Sequence, residues 1–171
     1  MDQLAPHPEC AIDAETLAAE RPGDHRDELR LWLRLLTCTT MIEGEIRKRL
    51  RRDFGVTLPR FDLMAQLDKA TGGLTLSDIS KRMMVSNGNI TGLVDRLVAS
   101  GHVVRRASET DRRAQLISLT DLGRAEFRIM ARAHEEWVAA MFAGLTRDGV
   151  DRLMNMLART KSSVREASAH A

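Results

Sequence analysis

Between residues 86 and 113 the chain concentrates side chains suited to gripping a polyanionic duplex. Ser86, Asn87, Asn89 and Thr91 fall within six positions of one another. All four are short and carry hydrogen-bonding groups. Asparagine amides pair bidentately with adenine edges in a major groove, and hydroxyls reach bases or phosphates. Gly88 and Gly92 lie among them and add almost no bulk, so a backbone bearing this set can approach closely. Arginines follow at Arg96, Arg105, Arg106, Arg112 and Arg113. A guanidinium matches a phosphate in a rigid fork. On a narrow hairpin it can enter a minor groove, where the negative potential is strongest. Asp111 can brace Arg113 through a bidentate pair, leaving Arg112 to reach DNA. Taken alone, such a charged tip reads better as a solvated turn. Its place directly after two short helices favours the duplex.

Charge is distributed accordingly. From Lys81 to Arg113 there are seven basic and three acidic residues, whereas the whole chain carries only +2. The excess positive charge is therefore local, and distribution rather than total marks an electrostatic footprint.

The elements that must hold these residues can be read from periodicity. Leu29, Trp32, Leu33 and Leu36 recur at helical spacing, and the stripe continues through Ile42, Ile46 and Leu50 until Gly55. Pro59 suits a first helical turn ahead of Leu63, Met64 and Leu67, and Gly72-Gly73 ends that helix. Thr75 and Asp78 have capping-box spacing before Leu76, Ile79 and Met83. Ser86 suits an N-cap for a helix that stops at Gly101. Its stripe of Ile90, Leu93, Val94, Leu97 and Val98 should face inward. Residues 102–106 (HVVRR) and 114–119 (AQLISL) read as strands flanking a polar turn at 107–113. Thr120 and Thr146 can each open a further helix. Leu, Ala, Arg, Met and Glu dominate the 171 residues, which suits a mainly α fold. The order of a short helix, tight turn, longer helix and charged hairpin predicts a winged helix-turn-helix with long flanking helices and a small β-hairpin wing.

At this point the chain resembles the MarR family of bacterial regulators. The carrying stretches are 76–83 (LSDISKRM), 86–101 (SNGNITGLVDRLVASG) and 111–123 (DRRAQLISLTDLG). The last is similar to the family's wing signature: an Asp-Arg-Arg tip, a strand ending Leu-Thr and a helix-opening glycine. The resemblance covers about residues 27–165. It implies a homodimer joined by its first and last helices, two winged domains on one DNA duplex, and in many members a small-molecule pocket. The expected organisation is an N-terminal arm at 1–24, a helical dimerisation region at 25–58 and 121–167, and the DNA-binding domain at 59–120. The stretch 86–101 is also similar to members that control breakdown of aromatic acids, some of which sense acyl-CoA thioesters. In the implied pocket, Trp32, Leu36 and Trp137 could pack against a ring, and Arg30, Arg34 and Arg60 could pair with a carboxylate or phosphate. Both tryptophans read at least as well as core residues, and each arginine as solvated surface. The expected function is a ligand-responsive dimeric regulator, a repressor released from pseudo-palindromic DNA by an aromatic acid or acyl-CoA. A ligand-independent or thiol-redox-sensing regulator is the alternative.

Other chemistry has little footing. Cys10 and Cys38 form no spaced framework. Cys38 could sense oxidants only if exposed with a lowered pKa, and a buried structural thiol is the favoured reading. His7, His25, His102, His134 and His170 show no ligand spacing for zinc. No nucleophile motif or phosphate loop is present, so neither enzyme activity nor a cofactor or metal is expected. No apolar run approaches bilayer length and the N-terminus lacks signal-peptide features, so no membrane partner and a cytoplasmic location are expected.

Overall fold

The computed structural model describes residues 26–107 and 115–169. Six helices and two strands follow one another: α1 (Arg26–Phe54), α2 (Leu58–Asp68), α3 (Leu76–Met83), α4 (Asn87–Ala99), β1 (Val103–Ala107), β2 (Gln115–Leu119), α5 (Asp121–Met141) and α6 (Arg147–Ala169). The fold is mainly α with one small antiparallel hairpin, as the pattern predicted. By internal contact the chain divides into one unit ending at Ala131 and a second spanning Arg132–Ala171.

In the first unit, the core collects the apolar stripes of short helices. Leu63, Met64 and Leu67 of α2, Ile79 of α3, Ile90, Val94 and Leu97 of α4 and Ile117 of β2 are almost fully buried. Such interlocking side chains hold a small domain rigid, because voids in a close-packed interior are costly. Only the C-terminal part of α1 joins this core, through Ile46 and Leu50. Farther back, Leu29, Leu31, Trp32 and Leu36 lie exposed along the same helix. Val98, expected to face inward with the α4 stripe, is also exposed. It lies at the C-terminal end of α4, past the part of the stripe that other elements cover.

Local chemistry sets the boundaries. The Thr75 hydroxyl accepts from the Asp78 amide while the Thr75 amide and hydroxyl donate to the Asp78 carboxylate, a complete capping box. These bonds hold the Asp78 carboxyl below its usual range. Thr120 caps α5 by accepting from the Gly123 amide at 3.0 Å, and Thr146 caps α6 by accepting from the Gly149 amide at 3.1 Å. Val103 pairs with Leu119 and Ala107 with Gln115 across the hairpin. One feature had no sequence signal: Leu74, between α2 and α3, bridges the other edge of β2. Its amide donates to the Ile117 carbonyl at 2.9 Å, and the Ile117 amide donates back at 2.8 Å. Gly73, at φ +82°, lets the chain pass there, because a Cβ would press on the Ile117 carbonyl oxygen.

In the second unit, α6 buries no residue, and Val150, Leu153, Met154, Met156 and Leu157 are all exposed. Among the described residues, no helix is long and apolar enough to cross a membrane.

Candidate nucleic-acid interface

The turn that aims α4 is only a few residues long. Met84 adopts the left-handed conformation at φ 55°. The Val85 amide donates to the Ser80 carbonyl at 3.2 Å, and the Ser80 hydroxyl donates to the Val85 carbonyl at 2.5 Å. Ser80 thus clamps the turn from the α3 side with both its backbone and its side chain.

Ser86 occupies the N-cap of α4 in extended conformation, as expected, but its hydroxyl makes no capping bond. The hydroxyl and the first-turn amides therefore remain available to a phosphate. Gly88 has nothing within 4 Å of a would-be Cβ, and Asn89 and Thr91 are exposed. Asn87 is the first helical residue; its side chain lies outside the described residues. Arg96 is exposed and its guanidinium lies 3.8 Å from a would-be Cβ at Gly92, an ordinary van der Waals distance. Ser86, Asn89 and Thr91 thus lie on an open surface, with Ile90, Leu93, Val94 and Leu97 anchoring the opposite side of the helix.

The exit from α4 is a Schellman cap. The Gly101 amide donates to the Val98 carbonyl at 3.0 Å and the His102 amide to the Leu97 carbonyl at 3.0 Å. Gly101, at φ +75°, takes the left-handed step. In β1, Arg105 is drawn into an ion pair with Asp95 of α4 at 2.5 Å, so it ties the wing to the helix. Its neighbour Arg106 is exposed. The expected tip residues Asp111, Arg112 and Arg113 fall outside the described residues.

The expected ligand residues are distributed differently. Arg30 is half-buried, lies 3.7 Å from Asp27, and has a buried Nε without a partner. Trp32 and Leu36 are exposed, at 56% and 46%, so the core reading of Trp32 fails: α1 extends beyond the domain that covers its C-terminal part. Arg34 is exposed and engaged with a partner. Trp137 is half-buried in the second unit. Cys38 is exposed rather than buried, because it too lies on the uncovered stretch of α1.

Arg60 belongs to a cluster that the sequence reading did not assemble. It is half-buried; its Nη2 lies 3.2 Å from His102 Nδ1, and its Nε is buried without a partner. His102 Nε2 meets the Glu126 carboxylate at 2.6 Å, and the Ser100 hydroxyl lies 2.8 Å from Nδ1. His102 occupies the position after the C′ glycine, which a Schellman cap turns inward. That was a legible signal. Its long-range partners on α2 and α5 were not. Among the described residues, no group of three or more His, Cys, Asp or Glu side chains could hold a metal ion.

Comparison with known proteins places this arrangement. The sequence model described as MarR family matches residues 54–114, which run from the end of α1 to the wing. The chain is 30% identical to the transcriptional activatory protein BadR of Rhodopseudomonas palustris over 119 residues, 67% of each chain. A MarR family transcriptional regulator from Silicibacter pomeroyi has a similar structure at TM-score 0.71 and 29% identity, covering 84% of this chain and 99% of the other. A mutant MarR from E. coli complexed with operator DNA matches in fold at TM-score 0.69 and 21% identity, over 81% of this chain and 99% of that one. With its winged helix-turn-helix, its open polar face on α4 and this level of similarity, the chain belongs to the MarR family of DNA-binding transcriptional regulators, which are not enzymes.

Proposed function

We propose that this regulator works as a homodimer on pseudo-palindromic duplex DNA and responds to a small organic effector, an aromatic carboxylate or its CoA thioester. The α4 surface supports the DNA contacts: Ser86, Asn87, Asn89 and Thr91 supply groups for bases or nearby phosphates, and Arg96, Arg106, Arg112 and Arg113 supply charge. Two α4 helices related by a two-fold axis read half-sites about one helical turn apart, roughly 10 bp. The dimerisation region is assigned to 25–58 and 121–167, the winged domain to 59–120, and the arm to 1–24. The exposed apolar residues of α1 and α6 support this assignment.

The observation that carries the effector reading is Arg60. A buried guanidinium N–H without an acceptor is costly, and a carboxylate satisfies it with a charge-assisted bond. Arg30 offers a second such Nε. Arg34 adds charge, and Trp32, Leu36 and Trp137 offer apolar surface to a ring. An effector acts only through its differential affinity for the DNA-competent and incompetent forms. Exposed Cys38 keeps a thiol-sensing alternative in play.

Selection of bound duplexes from a randomised pool tests the DNA reading, and Arg112→Ala tests the wing. The variant should keep its fold, since an exposed tip contributes little to stability, and bind the selected operator more weakly. Wild-type affinity in that variant refutes the wing role. Titrating aromatic acids and their CoA thioesters into the complex tests the effector; release by an oxidant and by none of these acids at millimolar concentration would replace it with the thiol reading. Repression is the first expectation for the regulatory sign. The similar BadR is named as an activator, which favours activation as the second reading. Transcription in vitro from the selected operator decides between them.

A further inference from the structure

We propose that His102 is a positioning residue for DNA recognition: with Arg60 and Glu126 it locks the wing and α4 into one pose, although none of the three belongs to the face that meets DNA. The inference rests on DNA binding and not on any effector.

His102 is the joint between the recognition helix and the wing. It follows the left-handed Gly101 and precedes β1. Its amide donates to the Leu97 carbonyl of α4, and its carbonyl accepts from the Thr120 amide at 3.0 Å. The side chain is only 10% exposed and both ring nitrogens are engaged. An arginine N–H can only donate, so with Arg60 bonded to Nδ1 the ring donates to Glu126 from Nε2, and the Ser100 hydroxyl also lies against Nδ1 at 2.8 Å. One residue is thus held from α2, from α4, from the cap of α5 and from α5 itself.

Neighbouring packing shows that the joint has no slack. Gly123, in the first turn of α5, lies so close to the His102 carbonyl that a Cβ would overlap it. Alongside the triad, Phe61 and Phe127 pack with ring centroids 5.5 Å apart, and Arg124 pairs with Asp68 at 3.0 Å. These contacts strap α5 to α2. The orientation of the α4 exit is left to the directional bonds at His102, together with the Arg105–Asp95 ion pair and the Thr120 hydroxyl, which donates to the Gly101 carbonyl at 2.7 Å. An apolar side chain of similar size would fill the volume without fixing the angle, because dispersion contacts are not directional. Sequence-specific contacts need their groups held within a fraction of an ångström of the right geometry, whereas phosphate attraction tolerates displacement. Loss of the lock should therefore erode specific binding more than non-specific binding.

The test uses the full chain, an operator selected from randomised duplexes by the wild-type protein, and a scrambled duplex of equal length. His102→Leu should lose about tenfold in operator affinity, roughly the effect of one lost buried hydrogen bond to a charged group. Binding to the scrambled duplex should stay within about twofold. The operator's salt dependence should stay close to that of the wild type, because phosphate contacts tolerate the displacement. His102→Gln can still donate to Glu126 and accept from Arg60, and should recover most of the specificity. A purely structural role predicts equal loss on both duplexes, in proportion to the unfolded fraction measured by thermal melting. That result overturns the proposal, as does a wild-type ratio in folded His102→Leu. If His102→Leu does not fold, Glu126→Ala decides, because it removes the acceptor of the Nε2 bond and its half-exposed side chain leaves no buried cavity. A reduced operator-to-scrambled ratio supports the lock, and an unchanged ratio overturns it.

Discussion

Met84 turns the chain between the two short helices in a backbone region that side chains with a Cβ rarely occupy. The left-handed conformation costs an L-residue about 1–2 kcal/mol. Glycine removes that strain but loses more entropy on folding, about 0.5–1 kcal/mol. Met84→Gly should therefore stabilise the protein slightly, by under about 1 kcal/mol, as read by a small rise in melting temperature. The Met84 side chain is 93% exposed, so no packing is lost. A fall in melting temperature would show that this side chain packs in a way its exposure hides.

At the scale of elements, α1 and α2 bring two acids within reach of one another. Burial raises the Asp62 carboxyl above its usual range, the Glu43 charge raises it further, and Arg47 partly offsets both. The sign follows from proton linkage: the folded state holds this proton more tightly than the unfolded chain. Ionised Asp62 therefore opposes folding. That penalty is absent below the ordinary aspartate range, grows as pH rises through the raised value, and is complete above it. Asp62→Asn should melt higher than the parent at neutral pH, and the difference should vanish as pH falls below the aspartate range. Parallel melting curves at every pH would contradict this account of the α1–α2 contact.

At the scale of the molecule, the apolar surface left outside the core is the dominant feature. Leu29, Trp32 and Leu36 of α1 and Val150, Leu153 and Leu157 of α6 are all exposed. An exposed apolar stripe on a helix, such as each of these two, marks an interface more often than bare surface, and a two-fold partner is the usual way to cover it. Under the proposed homodimer, the double change Leu153→Glu with Leu157→Glu should shift the protein toward monomer in light scattering at micromolar concentration. Burying uncompensated charge in an interface is strongly unfavourable. Operator affinity should fall together with dimerisation. A dimer of unchanged mass would exclude α6 from the interface.

What could be read before any fold was known is local. The capping box at Thr75–Asp78, the stop at Gly101, the inward set of Ile90, Leu93, Val94 and Leu97 and the hairpin strands follow from side chains acting on their own backbone and from periodicity. The polar N-terminal set of α4 was legible because helix position fixes which residues lead. Partners distant in the chain were not legible. The Leu74–Ile117 bridge and the convergence of Arg60 and Glu126 on His102 depend on how elements pack, and no spacing rule encodes such distances. The same holds for exposure. The stripe on α1 is continuous in the chain, yet Ile46 and Leu50 are buried while Trp32, Leu36 and Cys38 are open. Amphipathic spacing shows which face of a helix seeks cover, and only the tertiary structure decides how far along the helix that cover extends.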